Sequence, residues 1–429
     1  MSNEQIIASL DQIELSQREI TGSSYPYGLQ LILSCMSGAI HRGDPKELLD
    51  IESALTDLRK EIQSPNFLKD TIENKYKRYE LSGYTQGTTY QVIYIDSTDR
   101  SEFIHQKIDS ILKDIDNSLS TYNPDSKISK FNNSDSCFLI DNHILNLFLL
   151  SDEVNSISDG AFDPSVKPIV NLWGFGAHPV QLNTLYKHIS DSTARDSLIS
   201  AFRDSMSYDL TDFVGFEYFM LDGDIVYNTF EQMLNGDFND NFLCKDDSIV
   251  ELTFDGVAQG YTSDIIGDYL NFELGIGDFL VNVGGEIVAQ GRKKDNKHWM
   301  VQIEHPNVSE EDGLDEVARV KMDTNYRAIA VSGNYRKFRE EGKRKIVHSI
   351  DPRNGQPAET NVLSATVLSD EAAVCDAYAT AFMVLGFERS KQILEMNDEI
   401  DGLLIYSNRK EGIKNYISPG ILNSVDFVE

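Results

Sequence analysis

Apolar residues recur along this 429-residue chain with two different periods, and the change from one to the other divides it. Up to about residue 78 the spacing is helical: Ile6, Leu10 and Ile13 share one face, and Leu48, Leu49, Ile51, Leu55 and Leu58 share another. This stretch carries no chemistry-bearing motif, so residues 1–78 are expected to form a helical accessory module. From Tyr84 the pattern turns β-rich, and Thr88-Thr89-Tyr90-Gln91-Val92-Ile93-Tyr94-Ile95 predicts a strand. Ile104, Ile108, Ile111, Leu112 and Ile115 then predict an amphipathic helix over 103–119. Further helices are expected over 142–156, 182–202 and 371–385, and strands over 279–283, 298–303, 328–332, 362–368 and 402–406. An acidic stretch at about 204–247 looks like a surface excursion carrying one strand pair around 216–227. Strands in runs with helices grouped between them predict an α+β domain over 79–429, not a doubly wound parallel sheet.

Composition narrows the partners. There are 69 acidic and 38 basic side chains, a formal charge of −31. That disfavours nucleic acid, whose phosphates need clustered Lys and Arg, and it disfavours anionic membrane surfaces. No run approaches the ~18–20 apolar residues of a membrane span. The first twenty residues lack a basic region leading into an apolar one, which predicts a cytoplasmic protein. Leu31-Ile32-Leu33-Ser34-Cys35 only loosely imitates a lipoprotein cleavage site, because its apolar stretch is too short. Cys35, Cys137, Cys244 and Cys375 lie far apart with no C-x-x-C pair, so free buried thiols in a reducing compartment are expected.

Four places could carry chemistry. In Asp159-Gly160-Ala161-Phe162-Asp163-Pro164 a tight turn would hold Asp163 at a defined point; the alternative is a purely structural turn. Phe254-Asp255-Gly256-Val257-Ala258-Gln259-Gly260-Tyr261 is a glycine-rich turn leading into a helix that starts near Thr262. Free N–H groups at such a terminus favour an anion, although neither G-K-[ST] nor G-x-G-x-x-G is present. Arg336, Lys337, Arg339, Lys343, Arg344 and Lys345 crowd a segment with a hairpin tip at Glu341-Gly342. It is either a clamp for a diphosphate ester or a solvated face, and His348 at its end is placed to move a proton. Finally, Asp376 and Thr380 are four apart on a helix, so their oxygens share a face suited to Mg²⁺; the alternative is an ordinary polar face.

Taken in order, these stretches resemble the FAD:protein FMN transferase family, the ApbE-type flavin transferases. The resemblance runs from Gln86-Gly87-Thr88-Thr89-Tyr90 through Leu119-Ser120-Thr121-Tyr122-Asn123-Pro124 and Gly160-Ala161-Phe162-Asp163-Pro164 to Asn171-Leu172-Trp173-Gly174-Phe175-Gly176. It continues with Gly256 to Tyr261, Asn282-Val283-Gly284-Gly285-Glu286, Ser332-Gly333-Asn334-Tyr335, His348-Ser349-Ile350-Asp351-Pro352 and Asp376-Ala377-Tyr378-Ala379-Thr380. It implies a two-lobed fold of mostly antiparallel sheets with flanking helices. It also implies Mg²⁺-dependent transfer of FMN from FAD to a threonine hydroxyl of a target protein, with AMP released. Carried over by position, the metal ligands would be Asp376, Thr380 and the carbonyl of Gly256. Flavin-nucleotide contacts would fall at Gln86, Tyr122, Ala161, Phe162, Asp163, Thr253, Gln259 and Ile350, and His348 would transfer the proton. Thr253 stands where many relatives carry Asp, Gln259 where many carry Lys, and Gln86 where many carry Met. Hydrolysis of FAD to FMN and AMP is the second activity the family implies, and a non-catalytic flavin-binding or assembly protein is a third reading. Ser364-Ala365-Thr366 resembles a flavin acceptor tripeptide but lies in an apolar strand, which argues against self-modification.

Overall fold

The computed structural model describes residues 76–135, 137–173, 175–176, 214–222, 241–246, 250–304, 316–322, 326–333, 338–341, 344–347, 349–408 and 410–428. The helical module expected over 1–78 lies almost wholly outside these residues, as does the helix expected over 182–202.

An eight-stranded antiparallel sheet forms the centre. Its strands are β1 (Lys77–Thr85), β2 (Thr88–Asp96), β6 (Phe279–Val283), β7 (Glu286–Gln290), β10 (Ala328–Gly333), β15 (Val362–Ser369), β16 (Asp401–Asn408) and β17 (Gly412–Ile417), in that spatial order. Both faces of its middle strands are buried, which is why they read as continuous apolar runs. Val281, Val288, Ala328, Ala330, Val367 and Leu404 join one core, while Leu280, Ile287, Ile329, Leu368 and Leu403 join a second on the opposite face. Successive side chains point to opposite faces, so a run such as Phe279-Leu280-Val281 supplies both cores.

The first core is roofed by α1 (Ser101–Leu119), α3 (Asn142–Ile157), α5 (Ala258–Asp268) and α6 (Ala372–Leu385). The α1 stripe of Ile104, Ile108, Leu112 and Ile115 is buried as the spacing predicted. The second core is closed by a three-stranded sheet of β8 (Trp299–Glu304), β9 (Glu316–Met322) and β18 (Val425–Phe427). Near the acidic excursion, β3 (Phe138–Ile140), β5 (Asn241–Lys245) and β4 (Phe219–Asp222) make another small sheet. The excursion thus contributes two strands to a three-stranded unit; of the strand pair expected around 216–227, Phe219–Asp222 forms β4, and residues 223–227 lie outside the described residues. Shorter elements are α2 (Lys127–Asn132), α4 (Lys167–Leu172), α7 (Phe387–Met396), the hairpin of β11 (Phe338–Glu341) with β12 (Arg344–Val347), and β13 (Ile350–Asp351) with β14 (Gln356–Pro357). The α+β class read from the pattern is the one observed.

The thiols depart from expectation. Cys137 and Cys244, 107 residues apart, form a disulfide, while Cys375 is free and buried. The pair meets because β3 and β5 are neighbours in one ladder, with Phe138 opposite Leu243, a pairing that spacing along the chain does not reveal. These two cysteines therefore lend no support to a reducing compartment. Among the described residues no helix is long and apolar enough to cross a membrane.

Candidate active site

The centre of the candidate site is the crossing of α5 and α6. A Cβ on Gly260 would lie 2.2 Å from the Ala372 carbonyl oxygen, so the two backbones touch where only glycine fits. The expected helix start near Thr262 is too late: α5 begins at Ala258, and the motif's own Ala258-Gln259-Gly260-Tyr261 is its first turn. Neither helix has a capping side chain at its own N-cap, Val257 for α5 and Glu371 for α6. Each is served by the other instead. The Gly260 N–H donates to Asp376 Oδ2 at 3.3 Å, and the Ala372 and Ala373 N–H groups donate to Asp264 at 2.8 and 2.9 Å. The N–H at the glycine turn, read as free to receive an anion, is in this way already occupied by a carboxylate.

Asp376 and Thr380 lie one turn apart on α6, and the Thr380 hydroxyl faces the Gly256 carbonyl at 3.4 Å. Burial pushes the Asp376 carboxyl well above the usual carboxylate range, and the negative charge of Glu286 pushes it further. Burial likewise raises Asp264, to about 7, against the two N–H bonds it receives. A buried carboxylate beside a second acid, a hydroxyl and a carbonyl is a set of hard oxygens that suits Mg²⁺ and would be relieved by it. Asp376, Thr380 and Gly256 therefore fit the metal that the resemblance implies. Among the described residues no group of three or more His, Cys, Asp or Glu gathers for a metal, so a cation here would rest on one carboxylate with a hydroxyl and a carbonyl.

The Gly160–Pro164 turn closes one side. Just beyond α3, two left-handed residues, Asp159 (φ 52°) and Gly160 (φ 77°), reverse the chain. Phe162 is buried, tied by its N–H to Ser158 Oγ and by its carbonyl to Asn155 Nδ2, and its ring lies against Gly256. Asp163 accepts both the N–H and the hydroxyl of Ser165, so the turn does hold it at a fixed point. Thr253 is buried alongside and donates its N–H to the Pro164 carbonyl. Ala161 is buried in the same turn. Ile350 packs with Ile169, Trp173 and Val214, and the Trp173 indole N–H donates to the Gly355 carbonyl. This draws the 350–355 turn, with its Asp351–Arg353 fork, against Gly160.

The other side is built from the β1–β2 and β6–β7 turns. Gln86, left-handed at φ 48°, donates from Nε2 to Thr262 Oγ1 at 2.6 Å, while its Oε1 is buried with no hydrogen-bond partner. An acceptor left unpaired in a buried position is costly unless a ligand donates to it. Gln259 Oε1 occupies the space a side chain at Gly284 would need, next to Glu286. Tyr122, 63% exposed, lies near Asp255, and partial burial followed by that charge raises its hydroxyl pKa.

Gly256, Phe162, Gln259, Asp376 and Thr380 thus lie at or beside the crossing. Gln86 is tied to α5 through Thr262, Ala161, Asp163 and Thr253 sit in and beside the Gly160–Pro164 turn, Tyr122 lies near Asp255, and Ile350 packs with Ile169, Trp173 and Val214. His348 and the basic side chains from 334 to 345 lie outside the described residues, although β11 and β12 pair as a hairpin, Glu341 opposite Arg344. Asp264 and Glu286 were given no role by sequence reasoning. Asp264 was recoverable, because it sits four residues after Gly260 and so shares its helix face.

The model of the ApbE family matches residues 86–404. A Vibrio cholerae protein named FAD:protein FMN transferase is 31% identical over 352 residues, covering 81% of this chain and 92% of that one. An Escherichia coli K12 protein of the same name is 31% identical over 347 residues, covering 79% and 87%. The solved flavin transferase ApbE from Vibrio cholerae superposes with a TM-score of 0.64 at 29% identity, over 81% of this chain and 99% of that one. The apo Pseudomonas stutzeri flavinyl transferase ApbE gives 0.62 at 29%, over 81% and 97%.

Proposed function

Because the chain belongs to the ApbE family, we propose that it transfers the FMN half of FAD to a threonine hydroxyl of a partner protein, releasing AMP. The observation that carries this reading is the α5–α6 crossing, which sets the Asp376 carboxylate, the Thr380 hydroxyl and the Gly256 carbonyl beside the buried Phe162. Asp376, Thr380 and Gly256 would hold Mg²⁺, which when bound supplies charge neutralisation for the pyrophosphate.

The chain's own residues do the rest. Tyr122 and Phe162 offer flat apolar faces for the isoalloxazine ring. Gln86 Oε1 accepts from the nucleotide, and Asp163, Thr253, Ala161, Gln259 and Ile350 line its path. The threonine oxygen bonds to the flavin-side phosphorus, the bond from that phosphorus to the AMP phosphate oxygen breaks, and His348 takes the hydroxyl proton. Positioning and charge account for such a transfer without a covalent enzyme intermediate. Ser364 and Thr366 are not the acceptor, since β15 runs in mid-sheet between β10 and β16 with both hydroxyls buried.

The test is incubation with FAD, Mg²⁺ and threonine-bearing candidate acceptors, following fluorescence on the acceptor band and AMP in solution. Label and AMP in equal amounts support transfer. AMP and free FMN without label make the protein a pyrophosphatase, and no FAD binding at all overturns the reading. His348→Ala is expected to slow transfer about 10²- to 10⁴-fold with FAD affinity little changed. Equal losses in both would make His348 a binding residue instead.

A further inference from the structure

We infer that Asp264, which lies in none of the proposed contacts to nucleotide or metal, is a positioning residue that sets the cation affinity of the site by holding the first turn of α6 in register. This inference rests on the metal seat proposed above.

Asp264 is buried on α5, four residues beyond Gly260. Its two oxygens divide the work, Oδ1 accepting from Ala372 and Oδ2 from Ala373. These are N–H groups of the kind that a helix start leaves without an intrahelical partner. Glu371, at the N-cap, makes no side-chain capping bond of its own. The α6 terminus is therefore capped from a different helix, 108 residues earlier in sequence. Asp376 follows Ala372 by four residues, directly above it on the same face.

The return contact makes the arrangement reciprocal, since Asp376 accepts from the Gly260 N–H in the first turn of α5. Gly260 and Ala372 touch with no room for a Cβ. The helices are thus pinned at two points one turn apart, and Asp376 can change position only if one pin opens. Arg327 supports the same end, donating Nε to the Asp370 carbonyl and Nη1 to Asp268. Losing the Asp264 pin frees the α6 start, so a cation must re-order the turn before Asp376 can grip it. Groups that orient a metal ligand without touching the metal act in this way, and their replacement costs about 10- to 100-fold in affinity.

The test measures Mn²⁺ binding to the full chain, without FAD, by titration of the free-ion paramagnetic signal. Wild type, Asp264→Asn and Asp376→Ala are compared well below their unfolding midpoints. Asp264→Asn keeps the shape but turns an amide NH₂ toward a backbone N–H, and its Mn²⁺ dissociation constant is expected to rise about tenfold or more. Raising Mn²⁺ should then restore its turnover. A merely structural role would lower the unfolding midpoint and leave the Mn²⁺ affinity of the folded protein where it was, and that outcome overturns the inference. If Asp264→Asn does not fold, Asp264→Ser, which retains one acceptor, is measured in the same way. Wild type that fails to bind Mn²⁺ refutes the metal seat itself, and the inference falls with it. Binding by wild type that Asp264→Asn matches refutes only the role of Asp264.

Discussion

Asp376→Ala is expected to lower cation-dependent turnover by at least about a thousandfold, equivalent to roughly 4 kcal/mol of transition-state stabilisation. Asp376 would be the only carboxylate among the proposed ligands, and a hydroxyl and a carbonyl cannot offset a divalent charge without it. The same variant separates the chemistry from the fold. Burial and Glu286 push the Asp376 carboxyl far up, so in metal-free protein the ionised side chain is a burden on the folded state. Alanine removes that burden together with one long hydrogen bond from Gly260, and the metal-free midpoint should change little. Adding Mg²⁺ at 100 times its dissociation constant should stabilise wild type by about 2.7 kcal/mol and leave the variant unmoved. Turnover within tenfold of wild type, or equal stabilisation of both proteins by Mg²⁺, would refute the assignment.

Gly260→Ala carries the largest expected effect on stability, and its sign discriminates between two accounts. Helix propensity alone predicts a gain, since alanine in a helix interior is favoured over glycine by about 1 kcal/mol. Tertiary packing predicts the reverse. The new methyl would sit 2.2 Å from the Ala372 oxygen and 2.5 Å from its carbon, and these are backbone atoms with no rotamer to yield. Forcing α5 and α6 apart is expected to cost about 3 kcal/mol or more, the upper end for overpacking a close-packed interior. It should also break the Gly260–Asp376 bond and weaken cation binding. Urea midpoints of the two proteins decide the matter, and an alanine variant as stable as wild type would mean that the helices do not meet as described.

Much of the fold was legible because its signals are local. The α1 stripe repeats every three or four residues, and the strand at Phe279–Val283 begins and ends where the apolar run does. Asp376 and Thr380 were recognisable as a pair for the same reason, since helical geometry puts residues four apart on one face. The short elements escaped notice. α2 and α4 have six residues each, too few for a period to show, and β17 at the sheet edge is half exposed with no run of buried positions. The start of α5 was misplaced because glycine ordinarily marks the end of a helix. Here Gly260 lies within the first turn, where α6 packs too closely for any side chain.

The sequence by itself determined the class of this protein, its helical and strand periods, its motifs in their order and the one-turn spacing of the α6 oxygens, all of which depend on neighbours a few residues apart. Only the tertiary structure decided that Asp264 caps a helix starting 108 residues later, that Cys137 meets Cys244, and that Gly256 and Phe162 face Thr380. Those partners are joined by sheet registers and a helix crossing, and the packing energy that selects them leaves no periodic trace along the chain.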